Sequence, residues 1–191
     1  MAKDRYSNFD ELRKYETLHK DYRISTSDLG SDITIIAPHG GKIEPRTSDI
    51  AREAAKGRYN FYSFEGIKGV NNGSLHITSH NFDEPEALEL LSRSSSVIAI
   101  HACTGNESLV YLGGLDKELE AIIAEELEDR GIDISKGHTG YKGLRPENIC
   151  NRSATNKGVQ LEITRDLRDD PQKVHLICEA IRAALAKISR D

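Results

Sequence analysis

Apolar positions in this chain fall into two kinds of pattern. The first is the short continuous run. Ile33-Thr34-Ile35-Ile36-Ala37 is rich in β-branched residues and stops at Pro38, and Val97-Ile98-Ala99-Ile100 runs directly into His101. Runs of this length predict strands covered on both faces. Asn60 to Phe64, Ser74 to Thr78, Ser96 to His101 and Val159 to Ile163 are strand candidates, whereas the polar stretch Ser25 to Asp32 reads as a loop. The second pattern has the helical period. Between Leu115 and Arg130, the residues Leu115, Leu119, Ile122, Ile123 and Leu127 share one face, and Gly131 supplies a stop. Asp170-Pro171 sets a capping side chain and a first-turn proline ahead of the stripe Val174, Ile177, Ile181, Leu185 and Ile188. Shorter helices are predicted at Thr47 to Lys56 and Glu84 to Ser92.

Strands buried on both faces and alternating with amphipathic helices predict an α/β fold, a mixed sheet flanked by helices. No repeat or low-complexity tract divides the chain, so residues 1–191 read as a single domain. The balance of 26 Lys and Arg against 31 Asp and Glu leaves a net charge of −5, which argues against a general nucleic-acid binder. No apolar run is long enough for a membrane span. Met1 to Asp10 is polar and lacks the apolar stretch of a secretory leader, so synthesis in the cytoplasm is expected. Cys103, Cys150 and Cys178 are too few for a disulfide framework.

Ligands of α/β sheets sit beyond the carboxyl ends of the strands. Two predicted strands end there in histidine, at His39 and at His101, and Glu44 follows His39 by five residues. A third strand, Gly158 to Ile163, carries Glu162 inside an apolar stretch, where an acid is costly without a partner or a task. Two histidines and one carboxylate form a ligand set of catalytic zinc, which keeps a further position for water. Glu162 then stands as the carboxylate that takes a proton from that water. Each histidine taken alone also reads as a hydrogen-bonded structural residue, and the spacing matches no short helical zinc motif. Cys103, two residues after His101, offers a weaker Cys-His reading without an orienting partner. Glu65 is the second candidate for the base. His80 is a candidate for assisting the oxyanion or the leaving group, and the Gly137-His138-Thr139-Gly140 segment for a mobile lid.

The segments Ala37-Pro38-His39-Gly40-Gly41-Lys42-Ile43-Glu44-Pro45, Tyr62-Ser63-Phe64-Glu65-Gly66, Leu75-His76-Ile77-Thr78-Ser79, Phe82-Asp83-Glu84-Pro85, Asn148-Ile149-Cys150-Asn151-Arg152 and Gly158-Val159-Gln160-Leu161-Glu162 occur in that order. Together they resemble the poly-γ-glutamate hydrolase family of Bacillus phages and their chromosomal relatives. The resemblance implies a zinc enzyme with a carboxypeptidase-like α/β fold that cleaves γ-glutamyl amides of poly-γ-glutamate. It implies zinc (Zn2+) at His39, Glu44 and His101, and Glu162 as general base. Two positions depart from the family pattern: Lys42 stands where a third glycine is usual, and Arg46 where a small residue is usual.

A polymer with one α-carboxylate per unit calls for guanidinium groups, which bind carboxylates in pairs. Arg145, Arg152, Arg165 and Arg168 surround the third strand in sequence, and Arg152 and Arg165 are the favoured substrate contacts. Lys42 and Arg46 would add to a local basic patch on an otherwise acidic protein. The expected partner is thus the polymer, with no nucleic acid or membrane involved, and the protein a monomer able to act outside the cell after lysis. Two other readings stay open: a zinc amidohydrolase of small acyl-amino acids, and a non-catalytic binding protein on the same fold.

Overall fold

A computed structural model describes residues 4–105 and 107–189. Seven strands form one sheet: β1 (Tyr22–Ser27), β2 (Ile33–Gly41), β3 (Asn60–Gly66), β4 (Ser96–Ala102), β5 (Leu109–Gly114), β6 (Asp133–Lys136) and β7 (Val159–Ile163). Their spatial order is β1-β3-β2-β4-β7-β5-β6. The central four, β3, β2, β4 and β7, are mutually parallel, while β1 and β5 run antiparallel to their central neighbours and β6 runs parallel to β5. The result is the mixed, helix-flanked sheet expected from the hydrophobic pattern.

The alternating faces of the strands build two cores. Ile33, Ile35, Ala37, Ile98, Ile100, Val159, Leu161 and Ile163 pack on one face with α2 (Thr47–Ala55), α4 (Lys117–Glu128) and α6 (Pro171–Ile188). On the other face Ile36, Tyr62, Phe64, Val97 and Ala99 meet Phe9 and Leu12 of α1 (Phe9–Leu12) and Ala87, Leu90 and Leu91 of α3 (Pro85–Ser92). Continuous apolar runs were needed because these strands are covered on both sides. The cap at Asp170 forms as expected, its side chain accepting from the backbone N–H groups of Gln172 and Lys173. Glu84 caps α3 in the same way.

Three expectations change. The segment from Ser74 to Thr78 is not a strand: a 3-10 turn spans Asn72–Leu75, and the chain then runs extended without a ladder. Leu75 and Ile77 are buried in the second core, which accounts for their apolar character without strand pairing. Ser25–Ser27 belongs to the edge strand β1, whose half-exposed residues carry little hydrophobic signal. β5, β6 and the short helix α5 (Arg165–Asp169) lay outside the predicted elements.

β2 leads to β3 on one side, while β4 pairs with β2 on the other. The chain therefore diverges at the carboxyl end of β2, the place where open α/β sheets form ligand crevices.

Candidate metal centre

The β2–β3 ladder pairs Ala37 with Ser63 but Gly40 with Glu65, so β2 carries one extra residue at Pro38-His39. Pro38 has no N–H for the ladder, and the bulge falls where that donor is missing. Without it, Ala37 and His39 would share a face. With it, Ala37 faces α2 while the His39 ring lies on the opposite face, 4.0 Å between ring centroids from His76 and 5.0 Å from His101. Beyond the bulge the chain turns tightly: a Cβ at Gly40 would collide with Ser48 and Ser63, and Gly41 has φ +63°.

His39, Glu44 and His101 come together. His39 Nε2 lies 2.7 Å from the Ile77 carbonyl oxygen. A carbonyl only accepts, so Nε2 carries the proton and Nδ1 presents its lone pair. That Nδ1 stands 3.0 Å from Glu44 Oε1 and 3.2 Å from His101 Nδ1. The second carboxylate oxygen, Oε2, accepts from the Ala102 N–H at 2.8 Å and lies 3.7 Å from His101 Nδ1. Ser79 Oγ lies 3.4 Å from the outer ring nitrogen of His101, Nε2.

Three donor groups thus converge within 4.8 Å of one another, two of them on fully buried rings. Ligands of one zinc ion at about 2.0–2.1 Å stand roughly 3.3 Å apart, so the spacing fits that ion. The protein electrostatics agree. Burial pushes Glu44 up, but His39 and His101 outweigh it and hold the carboxyl far below its usual range. Burial pulls His101 down, but the hydrogen bond to Glu44 and the charge of Glu162 outweigh it and hold the ring up. The cluster is built to receive positive charge.

Glu162 is the register partner of His101 across β4 and β7. Paired residues of a parallel ladder share a face, and Val159, Leu161 and Ile163 of the same strand point into the opposite core. Burial drives the Glu162 carboxyl up to about 7, against the opposing charges of His101 and Arg168 and with that of Glu44 adding. Two neighbouring carboxyl groups are therefore pushed far apart in pKa, an environment that lets paired carboxyls take different roles. Glu65, by contrast, is buried on β3 in ion pairs with Arg23 at 2.6 Å and Arg52 at 3.5 Å. It lines no part of the cleft.

The cluster lies in a cleft of about 760 Å³ that is also lined by His76, Ser79, His80 and the 139–146 segment. Asp4 bonds His76 Nδ1 at 2.7 Å and accepts from the Thr78 N–H at 2.6 Å, leaving His76 Nε2 3.9 Å from Glu44 Oε1. The 139–146 segment is tied down at several points. Gln160, two residues before Glu162, donates to the Tyr141 carbonyl, and Asn151 donates to the carbonyls of Gly143 and Arg145. Within and beside it, His138 stacks on Tyr141 and both rings meet Tyr111 at a tilt, with centroids 4.7–5.1 Å apart. Thus the histidine of the glycine-rich segment is part of an aromatic stack.

The favoured arginines lie elsewhere. Arg152 caps the short turn Ile149–Asn151, and Arg165 is exposed at the start of α5, 3.4 Å from Asp169; neither lines the cleft. Lys42 and Arg46 do not line it either: Lys42 bonds the Lys68 carbonyl and Arg46 pairs with Asp49. The exposed cations at the cleft are Lys142 and Arg145. Arg145 is one of the four arginines near Glu162 in sequence but not a favoured one, and Lys142 is not singled out by the sequence, because the 139–146 segment returns to the cleft. Burial pushes the Cys103 thiol up to about 11, so a thiolate nucleophile is disfavoured there. All three cysteines are buried free thiols.

A family model for poly-gamma-glutamate hydrolase matches residues 6–174. The chain belongs to the poly-γ-glutamate hydrolase family. The SPbeta prophage-derived protein YoqZ of Bacillus subtilis (strain 168) is 41% identical over 170 residues, 88% of this chain and 61% of its own length. This family member therefore spans about three fifths of that relative. Among solved structures, a bacteriophage poly-gamma-glutamate hydrolase superposes with a TM-score of 0.92 at 29% identity, covering 98% of this chain and 99% of that one. A zinc-free apo structure of YndL superposes with a TM-score of 0.91 at 32% identity, covering 99% and 100%. At these TM-scores the mixed, helix-flanked fold of this family member matches those two structures over nearly all of the chain.

Proposed function

We propose that this chain hydrolyses the γ-glutamyl amide bonds of poly-γ-glutamate, with zinc held by His39, Glu44 and His101 and with Glu162 as general base. The observation that carries the reading is the convergence of those three donor groups beside a carboxyl raised to about 7, in an open cleft. The description of a YndL structure as zinc-free supports zinc as the metal. A zinc ion bound there supplies a polarised water and a Lewis acid for the scissile carbonyl.

The remaining work falls to the side chains. The Ile77 carbonyl fixes the His39 ring, and the Ala102 N–H fixes Glu44. Glu162 takes the proton of the attacking water and returns it to the departing amine, a cycle suited to a carboxyl near neutral pH. Arg145 and Lys142 meet the α-carboxylates that flank the scissile unit, at the exposed rim where a long anionic chain can lie.

The test is digestion of purified poly-γ-glutamate with and without a chelator, with product size and free amine followed over time. α-Linked polyglutamate of matched length and salt is the control, since it carries similar charge but presents the amide differently. Cleavage restricted to the γ-linked polymer and lost on chelation is expected. Equal cleavage of both polymers rejects selectivity for the γ-linkage, and turnover of a small N-acyl glutamate with neither polymer cut rejects the polymer as substrate.

A further inference from the structure

Arg168 lies outside the cleft and has no role in the chemistry above, yet it is a buried residue, with 6% of it exposed. It makes three hydrogen bonds, all to backbone carbonyls. Nε donates to Ile163 at 3.0 Å, Nη1 to Pro45 at 2.6 Å and Nη2 to Cys103 at 3.2 Å. Each acceptor sits beside a residue of the centre. Ile163 follows Glu162, Pro45 follows Glu44, and Cys103 stands two residues after His101.

Among the described residues no carboxylate lies within 4.0 Å of this guanidinium. Burying an unneutralised cation is expensive, and carbonyl bonds satisfy its N–H groups without cancelling its charge. Burial does pull Arg168 down, with the charge of Glu44 opposing, and Glu162 feels Arg168 in return. Packing alone would be served by an apolar side chain here. A planar fork with donors in fixed directions does something an apolar residue or a lysine cannot: it sets the spacing of three separate segments at once.

We infer that Arg168 is the positioning residue of the centre, joining the chain segments that carry Glu44, His101 and Glu162 and so setting the distance between the metal-holding side chains and the base. It touches neither substrate nor metal. The inference builds on the proposed zinc-hydrolase reading for its kinetic consequence, but its structural consequence, a preformed metal site, is measured separately.

The experiment compares wild type, R168K and R168A, with folding checked by circular dichroism. Chelator-stripped protein is titrated with zinc against a competing chromophoric chelator, and the zinc-loaded protein is assayed on poly-γ-glutamate. In R168K the charge stays but the three-way geometry is lost. Zinc affinity is expected to fall about 10-fold or more. The kcat is expected to fall about 10²-fold at unchanged KM, the cost of misplacing reacting groups by about 1 Å. Millimolar guanidinium is expected to restore both quantities in R168A. Folded R168K with wild-type zinc affinity and kcat overturns the proposal. A lower melting temperature with unchanged zinc affinity, or a raised KM with intact kcat, overturns it equally, in favour of packing or of substrate contact. If R168A does not fold, R168K decides alone. If wild type binds zinc but leaves the polymer uncut, the substrate reading fails while the zinc titration still judges Arg168.

Discussion

His101 and Glu162 are register partners on adjacent parallel strands, so one backbone ladder sets an imidazole of the candidate metal centre beside the carboxyl proposed as base. Glu162→Gln should retain zinc, because the residue is not among the three converging ligands. Turnover should fall by roughly 10²–10⁴-fold, the usual loss with a general base. Metal content by atomic absorption and kcat on the γ-linked polymer check both halves.

The same substitution should stabilise the metal-free protein at alkaline pH. Glu162 is raised from an ordinary 4.5 to about 7, so between those values the folded state keeps a proton that the unfolded chain releases. Stability then falls as pH rises through that window and stays lower above it. Glutamine removes the slope. At pH 8 the chelated Glu162→Gln protein should melt higher by at least about 1 kcal/mol, roughly 2–4 °C at this size, with the gap closing toward pH 4.5. Thermal melts across pH show whether it does.

Removal of a ligand should act on the metal before it acts on the chemistry. His101→Ala should lose zinc on dialysis, and chelation of wild type should abolish activity that added zinc restores. Full zinc occupancy in His101→Ala would refute the assignment.

At the rim, Arg145→Ala and Lys142→Ala should raise KM for the polymer and flatten its salt dependence, since exposed pairs are screened over about 8–10 Å. Arg152→Ala and Arg165→Ala should leave KM within about twofold, as surface changes away from a site do. Steady-state kinetics at two ionic strengths separate the pairs.

Arg46 is the residue just before α2 and has φ +79°, a left-handed conformation costly for a side chain with Cβ. This gives a physical reason for the small residue expected at that position. Arg46→Gly should stabilise the protein by about 1 kcal/mol, because the lost 3.7 Å pair with Asp49 joins two exposed groups worth little. Chemical denaturation measures it.

The strands that carry the centre were legible because they are buried on both faces and end in polar residues. Ile33 to Ala37 into His39, Val97 to Ile100 into His101, and Val159 to Ile163 around Glu162 all combine an apolar run with chemistry at or near its end. The edge strands β1 and β6 were not, since half-exposed residues carry mixed patterns. Nor was the sorting of the arginines. Arg145, Arg152, Arg165 and Arg168 are near neighbours in sequence, but a loop lining the cleft, a turn, an exposed helix start and a buried helix end give them four different surroundings. Sequence distance to Glu162 carries no information about which of these each one occupies.

The bulge at Pro38-His39 makes the facing of His39 a matter of parity. Substitutions of side chains around the centre other than His39, Glu44 and His101 act by degrees, through a weaker bond or a looser ring. A one-residue change of length between Ala37 and His39 acts differently: in a ladder of period two it exchanges the sides of the sheet, unless the bulge changes size to absorb it. Insertions and deletions in this short stretch should therefore behave as an on–off trait among variants of the chain, as replacement of His39 itself does, whereas substitutions at Ala37 and Pro38 act by degrees.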